Sequence, residues 1–175
     1  GVVWKLDSRG AKSVVAEISD PPDVLAALGI SNHSQYLASL AAMKHNVWMG
    51  GQKIERPWEH PQIMPGVNIV CVTYEWPLIP EHQDMVTATS HLTGETINRF
   101  THVHQSAEDL QKKVEMTRRY CRATGCIQRG MGGDALNALS IITHTSDALF
   151  GPSYSPSLLD FLRYFQPEDL VAHAA

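Results

Sequence analysis

The chain has 175 residues, enough for one domain with its own core. It is 43% hydrophobic and 18% charged, with a net charge of −4, which excludes a disordered chain and a basic surface for nucleic acid. No apolar run approaches the roughly 20 residues of a membrane-spanning helix, so neither nucleic acid nor membrane is expected as a partner.

Residues 1–30 read as a polar lead-in. Pro21 and Pro22 punctuate it, and Asp23 to Leu28 suit one or two helical turns at best. The opening Gly-Val-Val-Trp-Lys lacks a signal-peptide layout, and the missing initiator Met fits a processed, tagged or partial chain. Asn32 or Ser34 can cap the next element. Tyr36, Leu37, Leu40, Met43 and Val47 recur at helical spacing and Gly50-Gly51 stops them, so the pattern predicts a helix over 34–49. Gln52 to Pro65 carries three prolines and reads as a loop with room for a short hairpin. Gly66 to Leu78 stays open between buried strand and helix, because its apolar run fits both periods.

Ser90 to Thr101 reads as a polar loop and turn. Ser106 opens a helix reaching about Ala123, with Asp109 placed like the acidic member of a capping box and Leu110, Val114, Arg118 and Cys121 on one stripe. Another helix is predicted over Asp134 to Leu149, with Leu136, Leu139, Ile142 and Thr143 on one side. Ser155-Pro156 starts the last helix, Leu158, Leu159, Phe161, Leu162 and Phe165 supply its buried face, and Pro167 ends it. The reading is a mainly α fold. Trp48, Trp58, Tyr74 and Trp76 are assigned to core and loop packing.

The three cysteines, Cys71, Cys121 and Cys126, form no C-x-x-C. An odd, unpaired set argues for a reducing, cytoplasmic setting. Cys126 lies in Gly125-Cys-Ile-Gln-Arg-Gly-Met-Gly-Gly-Asp134. Gly130, Gly132 and Ala135 formally satisfy G-x-G-x-x-A, yet no strand precedes them and no acidic residue follows about twenty positions on, so a dinucleotide loop is rejected. The residues alone favour a loop broken by three glycines, with Cys126 as a small buried hydrophobe and Arg129 paired to Asp134. His102 and His104 would share one face of a strand, as two metal ligands could, but no third ligand is close in sequence.

The stretches "SHLTGETINRF", "HQSAEDLQKKVEMTRR" and "GCIQRGMGGDALNAL" together resemble the N-terminal domain of the flavoprotein family of 4-hydroxybutyryl-CoA dehydratase (vinylacetyl-CoA delta-isomerase) and 4-hydroxyphenylacetate 3-monooxygenase. The likeness runs from about Gln35 to Leu170 and is greatest to the dehydratase branch. It implies the N-terminal helical domain of an acyl-CoA-dehydrogenase-like architecture over 31–175, with the middle β-domain and C-terminal helical bundle absent from this chain. It also implies FAD, a homo-oligomer, and an acyl-CoA or small aromatic substrate. In the dehydratase, water leaves a hydroxyacyl-CoA by a flavin-radical mechanism assisted by a 4Fe-4S cluster. Cys126 matches the first metal-binding cysteine of the family's Cys-x-x-x-Cys, whereas Gly130 replaces the second. Gln128 matches an active-site glutamine, and Arg118 a family arginine of catalytic standing. Glu95, Asn98 and Arg99 are expected to form a structural polar network. The rival expectations are a flavin monooxygenase of the same superfamily and a non-catalytic orphan domain.

Overall fold

The computed structural model describes residues 2–6, 12–17 and 32–172; the turns expected at Asp23 to Leu28 lie outside them. Strands β1 (Val2–Leu6) and β2 (Lys12–Glu17) form an antiparallel hairpin, which corrects the reading of this region as a lead-in with a helix at best. The runs Val2-Val3-Trp4 and Val14-Val15 are β-branched and aromatic, and favour extended backbone.

Helix α1 (His33–Ala42) opens with a reciprocal capping box. The Gln35 N–H donates to Asn32 Oδ1 at 2.9 Å, and the Asn32 N–H to Gln35 Oε1 at 2.8 Å. The helix stops seven residues short of the predicted end, at Ala42 rather than 49. Its terminal Leu40 carbonyl accepts from the His45 ring at 2.6 Å. Strands β3 (Val47–Met49) and β4 (Gln52–Ile54) then pair across Gly50-Gly51. Both glycines have positive φ, 57° and 79°, the requirement of a two-residue hairpin turn. The pair that reads as a helix stop is therefore a hairpin tip, and Trp48 on β3 is exposed instead of buried.

The open segment resolves as helix: α2 (Met64–Glu75), with Pro65 in its first turn. A 3-10 turn at Trp76–Leu78 leads into α3 (Pro80–Val86). Strands β5 (Thr87–Thr89) and β6 (Thr96–Asn98) make a third hairpin around the turn predicted at Ser90. After a 3-10 turn at Arg99–Thr101 come α4 (Ala107–Thr124), α5 (Gln128–Phe150) and α6 (Tyr154–Phe165).

Two clusters form the core. Met85, Val86, Phe100, Met116 and Tyr120 pack together, joined by Val72, Trp76 and Ile127. Trp76 stacks on Tyr120 with ring centroids 4.1 Å apart. Val103, Leu136, Leu162 and Phe165 make the second cluster, with Leu158 and Leu170 against it. Helix α4 thus buries Met116 and Tyr120, while Leu110 and Val114 of the expected stripe are exposed. On α5, Leu136 is buried but Leu139 and Ile142 face outward. Helix α6 packs back along α5 and buries Leu162 and Phe165. Its start is capped from α5: the Asp147 carboxylate accepts from the N–H groups of Ser153, Tyr154 and Ser155 at 2.8–3.1 Å. Hydrogen bonds from Ser155, then Tyr154 and Ser153, hold that carboxyl well below its ordinary pKa.

Candidate functional site

Gly125 ends α4 in the left-handed region, at φ 78°, and its N–H donates to the Cys121 carbonyl at 2.8 Å. Cys126 and Ile127 then turn the corner, and α5 begins at Gln128. The Thr124 hydroxyl lies 2.5 Å from the Cys126 carbonyl and 2.8 Å from that of Tyr120, pinning the corner to the last turn of α4. Cys126 is exposed, not the buried hydrophobe expected from its residue type. Gln128 is exposed as well, and its Oε1 would lie 3.9 Å from a Cβ built on Gly66 in the first turn of α2. A free thiol and a neutral amide therefore border one solvent-facing corner. The amide offers both a donor and an acceptor to a bound group.

The glycines do not break the chain here. Gly130, Gly132 and Gly133 are helical and buried within the first turns of α5, correcting the expected start at Asp134. They are small because the helix is crowded: a Cβ on Gly133 would stand 3.0 Å from the Phe100 carbonyl oxygen, and one on Gly132 would strike the Ala172 carbonyl. At Gly130 a Cβ meets only the Ile127 side chain, at 3.5–3.6 Å, an ordinary contact. Position 130 thus has room for a side chain, but it is buried while Cys126 is exposed, and Cys126 precedes the helix. The two positions do not form the i, i+4 pair of one helical face that the Cys-x-x-x-Cys pattern suggests.

Among the described residues Arg129 is the largest fully buried side chain. It pairs with Asp169, not with Asp134 as expected; Asp134 pairs with Lys113 across α4 and α5. The Arg129 guanidinium also donates to the Asp169 carbonyl at 2.9 Å and to the Leu170 carbonyl at 3.2 Å. It lies 4.5 Å from the centre of the Tyr74 ring. Burial pushes the Tyr74 hydroxyl up to about 12, against the lowering field of Arg129. Gln166, also buried, accepts from the Ser90 hydroxyl at 2.7 Å and donates to the Thr101 carbonyl at 2.9 Å. Sequence reasoning missed both Asp169 and Gln166. Their side-chain partners stand 40 to 95 residues away, beyond any local periodicity.

Arg118 is exposed on α4. The polar network expected around Arg99 is present. The Arg99 Nε donates to the Met85 carbonyl at 2.7 Å, Nη2 to the Thr87 carbonyl, and Nη1 to Asp109 at 3.2 Å. Asn98 donates to the Thr73 carbonyl at 3.0 Å. Glu95 is exposed and enters through its backbone alone, its carbonyl accepting from the Ser90 N–H. Asp109 also faces His102 Nε2 at 3.2 Å and accepts the Gln105 N–H at 2.9 Å, so its carboxylate reaches one residue beyond the position a capping box uses. Of these, Thr87, Arg99, His102, Gln105 and Asp109 line an open polar cleft of about 420 Å³. His102 and His104 sit past the 3-10 turn instead of on a strand, with ring centres 6.4 Å apart. Among the described residues no three His, Cys, Asp or Glu side chains are placed to hold a metal ion.

A 4Fe-4S cluster needs several thiolates at one place. This corner offers Cys126 alone, with glycine at 130 and Cys121 half-buried on α4. The donor set of the described residues does not fit such a cluster. Nor do the glycines of α5 cradle a pyrophosphate, since they lie inside a helix that follows another helix.

A family model described as 4-hydroxyphenylacetate 3-hydroxylase N terminal matches residues 32–175. The chain is 42% identical over 142 residues to the 4-hydroxybutyryl-CoA dehydratase/vinylacetyl-CoA-Delta-isomerase of Clostridium aminobutyricum, a match covering 81% of this chain and 29% of that protein. It is 22% identical over 138 residues to the oxygenase component of 4-hydroxyphenylacetate 3-monooxygenase from Thermus thermophilus, covering 79% and 28%. Among solved structures it matches an oxygen-tolerant archaeal 4-hydroxybutyryl-CoA dehydratase from N. maritimus with a TM-score of 0.76 and 36% identity, over 81% of this chain and 28% of the other. An oxygenase component of 4-hydroxyphenylacetate 3-monooxygenase complexed with FAD matches at a TM-score of 0.59 and 21% identity, over 81% and 29%, a likeness of fold. The chain spans less than a third of the length of these relatives. The fold is mainly helical, as the sequence leads one to expect, and no helix among the described residues is long and apolar enough to cross a membrane.

Proposed function

We propose, for a chain that belongs to the 4-hydroxyphenylacetate 3-hydroxylase N-terminal family, that it forms the helical N-terminal domain of a flavin-dependent enzyme acting on a hydroxyacyl-CoA. The observation that carries this reading is the 42% identity to a 4-hydroxybutyryl-CoA dehydratase. The corner at Cys126 and Gln128 supports it, because it is the polar, exposed end of α5. In this role the Gln128 amide orients the substrate by a hydrogen bond to its hydroxyl or carbonyl. Arg118 supplies an exposed cation for an anionic part of the substrate. FAD is assigned to the enzyme by kinship with the FAD-bound relative. The family resemblance supports a homo-oligomer as the working form, and three free cysteines support a reducing, cytoplasmic setting.

A second reading has its own observation. Gly130 brings no thiolate and Cys126 stands alone, which suits a flavin monooxygenase that needs no cluster. Anaerobic purification of the native protein, with flavin spectra and iron and sulfide analysis, separates the two. Bound flavin together with loss of water from 4-hydroxybutyryl-CoA is the expected result, and about four iron atoms per subunit would place the missing cluster ligands elsewhere in the protein. Flavin without iron, with oxygen-dependent hydroxylation of 4-hydroxyphenylacetate, favours the second reading. A colourless protein indifferent to added FAD sinks both, and leaves a non-catalytic domain.

A further inference from the structure

We infer that the Arg129–Asp169 pair is the positioning device of the Cys126–Gln128 corner, so that segment 166–172 sets the geometry of the candidate site. The inference rests on that corner being the functional one. Arg129 directly follows Gln128 and is only 2% exposed, so it acts through its neighbours and touches no substrate. Helix α5 begins at an isoleucine cap with no side-chain hydrogen bond. Its first turn is therefore anchored by packing of Ile127 against the first core cluster and by Arg129, which reaches across to α2 and the segment after α6.

The groups around the Arg129 guanidinium come from three other parts of the chain, one of them the 3-10 turn, whose Phe100 ring centre lies 5.6 Å away. Thr73 and Tyr74 come from α2, at 3.4 Å and 4.5 Å. The Asp169 carboxylate and the carbonyls of Asp169 and Leu170 come from the segment after α6. That segment is itself tied down. The Tyr74 hydroxyl donates to the Asp169 carbonyl at 2.9 Å, Gln166 is fixed between Ser90 and Thr101, and the Ala172 carbonyl lies against Gly132. Asp169 adopts φ 46°, the single positive φ among described non-glycine residues. This conformation disfavours most side chains, and its surroundings hold it. A displacement of Asp169 would pull on Arg129 and hence on the turn that carries Gln128 and follows Cys126.

The test is the rate at which iodoacetamide alkylates Cys126 in the full chain, resolved by peptide mass spectrometry. The variants are Arg129→Lys, Asp169→Asn, their double, and Tyr74→Phe, which removes only one hydroxyl of the cluster. Ile97→Ala, a buried position on β6 outside both core clusters, is the control for general destabilisation. Each single variant is expected to change the Cys126 rate by about threefold or more, and the double by no more than the larger single. Ile97→Ala should leave the rate within about twofold while lowering the melting temperature further than Tyr74→Phe. Rates within about twofold of the parent in both Tyr74→Phe and Asp169→Asn would overturn the inference and leave a purely structural ion pair. If Arg129→Lys does not fold, Tyr74→Phe carries the decision. Labelling needs no flavin, iron or substrate, so its outcome is separable from failure of the proposed enzyme activity.

Discussion

At the residue scale, Asp109 ties the first turn of α4 to the turn before it. Its carboxylate faces the buried Arg99 guanidinium and the buried His102 ring, each at 3.2 Å. Burial alone would raise its pKa. Against that, the Gln105 N–H, then His102 and Arg99, bring it down from 3.8 to about 2. A folded value below the unfolded one means that the stabilisation is complete at neutral pH and is lost as pH falls through about 2. Because the carboxylate is partly exposed, we expect about 1 kcal/mol after allowance for solvent screening. Asp109→Asn should therefore be less stable than the parent by about that amount or somewhat more at pH 7, since it leaves Arg99 without its counter-charge. The gap should close between about pH 4 and pH 2. Urea unfolding at a series of pH values measures it, and a gap independent of pH would show that the Asp109 charge contributes nothing.

At the scale of elements, α5 is where local preference and packing part company. Each internal glycine costs about 1 kcal/mol against alanine, which is why Gly130, Gly132 and Gly133 read as a break. Close approach of Phe100 and Ala172 to the helix overrides that cost at two of the three positions. Gly132→Ala should therefore destabilise by about 2–3 kcal/mol through overpacking against backbone. Gly130→Ala should be neutral or stabilise by up to about 1 kcal/mol, because its Cβ has room. Thermal melts of the two variants check this, and equal losses would mean that the glycines are not distinguished by their neighbours. The same logic sorts what the sequence made legible. Ser106 and Asn32 were readable because a cap is a local event of side chain and nearby amide. The short strand Val47–Met49 was hidden, since three residues carry too little period to oppose the helical pattern before them. Cys126 and Gln128 came into view by resemblance to a family motif. Arg129 with Asp169 did not, for a buried ion pair between distant segments leaves no trace in spacing.

For the whole molecule, the sequence placed too much of its apolar surface inside. Leu139, Ile141, Ile142, Leu149 and Phe150 are all exposed on α5, Phe150 at 79%, and between Asp134 and Asp147 the helix carries no Asp, Glu, Lys or Arg. Hydrophobic spacing reports that a face is apolar but not which of two apolar faces meets the core, so the stripe containing Leu139 and Ile142 was assigned inward when Leu136 and the glycines hold that side. The consequence is measurable. Exposed side chains that contact little contribute little to folding, so Leu149→Lys with Phe150→Lys should change unfolding free energy by no more than about 0.5 kcal/mol per site. Lysines in the last turn also complement the helix dipole. The same substitutions interrupt an apolar area of the kind that drives association, so they should lower binding of a hydrophobic dye and reduce self-association in sedimentation velocity. A melting temperature that drops by many degrees instead would mean that Leu149 and Phe150 are packed in the folded chain, and that the outer side of α5 is not the surface described here.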